Sequence, residues 1–177
     1  MNSVLVVSAS EKAALRIGQW LGEDSYTPVH APTVADAEAL LRARRFDLLV
    51  VNAPLADGDG EALCLRSDVC ALLLLPEARY AADSVRLSQR GVLTLSKPLN
   101  VPLFAQAVAL LAATRARLGH LQEKLEEVRL IDRAKWALIE VLKMSEAQAH
   151  RYIEKQAMDL RQTRRRVAEN IVKTYEY

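Results

Sequence analysis

Cysteine is nearly missing from this chain: Cys64 and Cys70 are the only two in 177 residues, and they form no Cys-x-x-Cys pair. The three histidines are scattered. These shortages argue against a disulfide framework and a zinc site, and they suit a reducing cytoplasm. Aromatic residues are also scarce, at 5%, while 51% of the chain is hydrophobic, much of it alanine and leucine. That balance favours helices packed on a core. An excess of one charge is lacking too. With a net charge of +2, any grip on a polyanion must come from a local patch. The apolar run 71–75 is far too short to span a bilayer. No basic stretch precedes an apolar core at the start, so no signal peptide is expected. No nucleophile–base pair and no metal-ligand cluster emerges, so neither an enzyme, a metal nor a cofactor is expected.

The first hundred residues alternate two periods. Short β-branched or leucine-rich runs at 4–7, 27–30, 48–51, 71–75 and 92–95 read as strands. Between them lie helical patterns at 11–21, at 34–44 behind the capping Thr33, and at 83–90. After Asn52 comes a loop of Pro, Asp and Gly. Repeated β-α alternation implies a parallel sheet with helices on both faces.

From Val101 the pattern becomes one long helix. Gly119 inside it is tolerable at about 1 kcal/mol. Leu111, Leu118 and Leu125 recur every seven residues, with Ala107, Thr114, Leu121 and Val128 on the second seam. This is a short parallel coiled-coil pattern and predicts a homodimer. The same spacing also suits a helix packed on its own sheet, and the alanine and threonine weaken the first heptads.

The last third carries three short amphipathic helices in series. Ile131, Ala134, Leu138, Val141 and Leu142 form the inward face of the first. Ser145 with Gln148 fits a capping box that starts the second, whose core face is Ala149, Ile153, Ala157 and Leu160. The third presents Val167, Ala168, Ile171 and Val172. Arg161, Arg164, Arg165 and Arg166 cluster where the second helix passes into the third, and Arg151 and Lys155 lie one turn apart on the second. Guanidinium groups can fork onto phosphates and stack on unpaired bases, although a basic run is often only a solvated face, and Glu154, Asp159 and Glu169 lie close by.

The segment 130–172 resembles the ANTAR domain, an RNA-binding module of bacterial antitermination proteins. The resemblance rests on Asp132-Arg133-Ala134-Lys135, Met144-Ser145-Glu146, Ala149, Ala157-Met158 and Val167-Ala168. Ala134-Lys135 matches the family's Ala-Lys-Gly signature except at its third position, here Trp136. Glu154 stands where many members carry arginine. The resemblance, with the basic cluster, implies RNA contact by Ala134, Lys135, Trp136, Met158, Arg161, Arg164 and Arg165. Trp136 fits either a stacked loop base or a partner helix.

The first 110 residues resemble a response-regulator receiver: the runs 4–7 and 46–51, Pro54, Asp59-Gly60 and Lys97-Pro98 carry the match. The resemblance implies a flavodoxin-like α/β fold, a parallel five-stranded sheet in the order 2-1-3-4-5. Active receivers phosphorylate an aspartate after the third strand with Mg²⁺ nearby. Here Asn52 holds that degenerate phosphoacceptor position, Ser8 and Ala9 stand for the acidic pair, and Leu75 for the hydroxyl residue after the fourth strand; Lys97 is the residual receiver lysine.

The expected organisation is a pseudo-receiver over 1–100, a coiled-coil linker helix over 101–130, and a three-helix ANTAR domain over 131–177. The expected function is a cytoplasmic RNA-binding antiterminator of a two-component type. It would stabilise paired hairpins in leader transcripts as a homodimer, with a protein or small ligand acting on the pseudo-receiver. The rival is a dimeric protein-interaction adaptor without RNA binding.

Overall fold

The computed structural model describes residues 2–22 and 25–175. Twelve elements follow one another among them: β1 (Asn2–Val7), α1 (Glu11–Leu21), β2 (Tyr26–Ala31), α2 (Val34–Ala43), β3 (Leu48–Asn52), α3 (Gly60–Arg66), β4 (Ala71–Pro76), α4 (Glu77–Gln89), β5 (Leu93–Lys97), α5 (Val101–Leu142), α6 (Glu146–Asp159) and α7 (Arg164–Tyr175). The five strands make one parallel sheet in the order β2-β1-β3-β4-β5, as the receiver resemblance implies.

Alternation along the inner strands divides the core in two. Val4, Val6, Leu48, Val50, Leu72 and Leu74 meet Ala14 and Ile17 of α1 and Phe104 and Val108 of α5 on one side of the sheet. Leu5, Val7, Leu49, Val51, Leu73 and Leu75 meet Ala37, Leu63 and Leu87, from α2, α3 and α4, on the other. A strand covered on both faces has no polar face to show, which is why these runs are continuously apolar. Pro28 sits in β2, an edge strand, where its missing donor leaves no inner ladder bond unmade.

Two helices differ from expectation. The short α3 follows a loop expected to be irregular; at seven residues it is too brief for a periodic signal, and Asp59 starts it by accepting from the Glu61 amide at 3.0 Å. Helix α4 begins six residues earlier than Asp83, behind Pro76. Arg86 and Arg79 of this helix reach Glu61 of α3, and Arg86 above all holds the Glu61 carboxyl below its usual range.

The chain divides into two compact units, Met1–Ala116 and Arg117–Tyr177, a boundary that falls within α5. In the first unit, Phe104, Ala107, Val108 and Leu111 are buried against the sheet, and Phe104 meets the Trp20 ring edge-on at 5.9 Å between centroids. Arg115 then donates to the carbonyls of Phe46 and Asp47 at 2.9 and 2.7 Å and pairs with the Asp47 carboxylate at 2.9 Å. Helix α5 is long and apolar enough, by length and composition, to cross a membrane. Of its apolar residues, Phe104, Ala107, Val108 and Leu111 pack on the sheet, while Val101, Leu103 and Leu110 are exposed. Beyond the boundary, Leu118, Leu121, Leu125 and Val128 are 52–59% exposed.

In the second unit, Ala134, Ala137 and Leu138 of α5 pack with Ala149, Ile153 and Ala157 of α6 and Val167, Ala168 and Ile171 of α7. Ser145 starts α6 by a full capping box: its hydroxyl accepts from Gln148 N at 3.3 Å while the Gln148 amide oxygen accepts from Ser145 N at 2.8 Å. Val141, Leu142 and Leu160, expected inside, are exposed. They occupy the final turns of α5 and α6, which the three-helix core does not cover.

Candidate nucleic-acid interface

Helix α6 turns its core face, Ala149, Ile153 and Ala157, inward. At about 3.6 residues per turn the opposite face carries Ala147, Arg151, Lys155 and Met158, and all four are exposed. Among the described residues, neither Arg151 nor Lys155 has an ion-pair partner. Met158 is 78% exposed, more than any other large hydrophobic among the described residues.

Three arginines at the start of α7 are paired with acids. Arg164 lies 3.8 Å from Glu154, which also takes His150 at 3.3 Å. Arg165 and Arg166 both reach Glu169, at 3.4 and 3.1 Å, and Arg166 chiefly holds the Glu169 carboxyl below its usual range. These pairs are exposed and therefore weak, on the order of 0–1 kcal/mol each, so a phosphate can displace the acid. Helix α7 opens with Arg164, Arg165 and Arg166 and has no acidic residue in its first turn. Cations at this end oppose the helix dipole, by roughly 0.3–1 kcal/mol each.

The structure places the expected contact residues unequally. Ala134 is fully buried in the second unit's core; its side chain serves packing and meets no solvent. Lys135 is 17% exposed and lies between Asp132, at 2.7 Å, and Glu146, at 3.3 Å. The Asp132 hydrogen bond, followed by that to Glu146, raises its pKa above the usual lysine value. Lys135 thus ties α5 to the first turn of α6. Trp136 is 64% exposed, and Arg161 is exposed in the turn after α6. Arg151 and Lys155 are better placed than Lys135; their four-residue spacing opposite the apolar stripe was the sequence signal for that.

In the first unit, the strand ends bring Ser8, Asn52 and Lys97 together. Ser8 is fully buried; its hydroxyl accepts from the Asn52 amide at 3.0 Å and donates to the Ser10 carbonyl at 3.1 Å. His30 Nε2 lies 2.8 Å from the Ser8 carbonyl. Lys97 donates to the Ala53 carbonyl, and burial pushes its pKa down. Asp57 does not face this cluster: it accepts from the Val34 and Ala35 amides at the start of α2, which together hold its carboxyl below the usual range despite desolvation. Mg²⁺ does not fit here, because it requires hard oxygen ligands with one or two carboxylates, and Ser8, Ala9 and Asn52 supply none.

The ANTAR domain family matches residues 119–172. The transcriptional regulatory protein PdtaR of Mycobacterium tuberculosis is 30% identical over 183 aligned positions, which cover 96% of this chain and 89% of that protein. The chain belongs to the receiver–ANTAR response regulators. Solved receiver domains superpose on its first unit: one from a histidine kinase of Syntrophus aciditrophicus is 26% identical with a TM-score of 0.55, covering 64% of this chain and 92% of that one. A response-regulator receiver from Clostridium thermocellum, 12% identical, has a TM-score of 0.60 and covers 67% and 99%. The ANTAR match begins at Gly119, inside α5, so the family's module takes in the exposed stretch of that helix as well as the three-helix core. Receiver–ANTAR proteins are regulators of transcription rather than enzymes, and ANTAR domains bind RNA.

Proposed function

We propose that this response regulator is an antiterminator that binds paired hairpins in leader transcripts and takes no phosphate on its receiver. The observation that carries the RNA part is the outer face of α6, where two cations without acidic partners among the described residues lie beside an exposed methionine. Arginine and lysine would hold phosphates, and the thioether offers an apolar rest for a splayed loop base. Stabilising one RNA fold at the expense of a terminator stem requires only binding energy, with no chemistry at the site.

The receiver reading rests on Ser8 and Asn52. A neutral amide and hydroxyl satisfy each other where the chemistry needs a carboxylate nucleophile and a metal. Asp57 and Asp59, in the loop that follows Asn52, are engaged in capping α2 and α3. The input is then a protein or a small ligand. The pieces of this reading divide as a pseudo-receiver over 1–100, a linker helix over 101–130 that pairs with a second copy, and an ANTAR domain over 131–177, all working in the cytoplasm.

Two measurements test it. RNA selected from a pool of linked random hairpins on the full chain should bind with an affinity that falls as salt rises. Arg151→Ala and Lys155→Ala should each weaken it several-fold and flatten that dependence. A chain that enriches no RNA, but captures protein partners, would be an adaptor. Incubation with acetyl phosphate and Mg²⁺ should leave the mass of the protein unchanged, and a stable adduct on the first unit would overturn the receiver reading.

A further inference from the structure

Lys143 and Arg161 are the non-glycine residues with positive φ among those described, at +53° and +51°. Both are basic and exposed, and neither has an acidic partner among the described residues. Lys143 lies in the turn between α5 and α6, and Arg161 in the turn between α6 and α7. They therefore stand at the two ends of a helix about 21 Å long.

This backbone region disfavours any residue with a Cβ, and helices that end in it usually place glycine there. The turn at Arg161 does not need the side chain. Gln162 N donates to the Ala157 carbonyl at 3.0 Å and Arg161 N to the Met158 carbonyl at 3.2 Å, bonds that the backbone of a glycine would make equally well. A cation kept at a strained position, twice in one small unit, with no intramolecular partner, points to an external one. Arg151 and Lys155 lie between the two turns on the outer face of α6.

We propose that Lys143 and Arg161 are phosphate-binding residues at the two ends of the α6 interface, so that the RNA backbone is held along the full length of that helix. The proposal rests on the RNA-binding reading and extends it from the helix face to both turns. The lysine was missed in the sequence because a lone cation at a helix end is ordinary C-terminal chemistry. Its φ is what sets it apart.

Glycine substitution separates strain from contact. Lys143→Gly and Arg161→Gly, in the full chain, should unfold in urea at the same or a higher midpoint than the parent. Each should bind the selected hairpin RNA about five- to tenfold more weakly and reduce the slope of log affinity against log salt by roughly one. Lys143→Arg and Arg161→Lys, which keep charge and strain, should bind like the parent. Parent-like affinity and salt slope in both glycine variants would overturn the proposal, as would a fall in urea midpoint that accounts for the lost binding. If the parent itself enriches no RNA, the underlying reading fails first, and the glycine variants need not be made to show it.

Discussion

Lys135 shows how a residue picked out by a motif can also serve the fold of its own unit. Its ammonium is shared between a carboxylate one turn earlier and another at the start of the next helix. Asp132 and Glu146 are themselves 51% and 77% exposed, so the clasp is worth little to stability in water. Lys135→Met is expected to lower the unfolding free energy by about 0.5–1 kcal/mol, while leaving the salt slope of RNA binding unchanged. Urea titration and RNA binding across salt check the two halves, and a slope reduced by about one would return Lys135 to the phosphate contacts. Ala134 makes the same point from the other side. Its place beside Lys135 in a signature says nothing of direction, and the helix turns it into the core. Arg151 and Lys155 could be seen in advance because their spacing opposes a clear apolar stripe. Lys143 could not, since a backbone angle is not written in composition.

At the scale of elements, the β-α alternation was legible because buried inner strands tolerate no polar side chains. The strand positions 4–7, 48–51 and 71–75 each fall within an observed strand, and the capping box at Ser145 is formed as its residues imply. Helix α3 was not legible: it is brief, and it begins on Gly60, which sequence alone assigns to a turn. The structure gives that glycine another reason. A Cβ there would lie 2.7 Å from Cγ1 of Val51, a fully buried residue of β3 next to Asn52. A β-branched side chain locked in a strand has little room to move. Gly60→Ala is therefore expected to destabilise the first unit by about 1–3 kcal/mol, read as a lower midpoint in urea. An unchanged midpoint would mean that α3 shifts freely away from the sheet.

At the scale of the molecule, α5 serves different surfaces along its length. Ala107 and Leu111, both members of the heptad pattern, are spent on the sheet. Leu118, Leu121, Leu125 and Val128 continue the pattern and remain exposed. Eight such side chains in a pair, at roughly 1.5–3 kcal/mol when fully buried, are of the same order as the 4–15 kcal/mol that association costs. A pair held by this stripe alone should therefore be concentration-dependent. Replacing Leu121 and Leu125 together by glutamate is expected to give a monomer in sedimentation equilibrium without loss of helical circular dichroism, because neither side chain is buried within the chain. A parent that stays monomeric at tens of micromolar would remove the pairing from the proposed mechanism.

The amino-acid pattern by itself determined the strands, the helices other than α3, the capping box and the ANTAR signature, because hydrophobic period and capping chemistry act within a few residues. Which cations stand free, which are clasped by acids, where α5 stops covering the sheet, and that two basic residues occupy left-handed turns were decided only by the tertiary structure. Those properties depend on partners brought together from distant positions and on the backbone angle that packing imposes, neither of which a local pattern encodes.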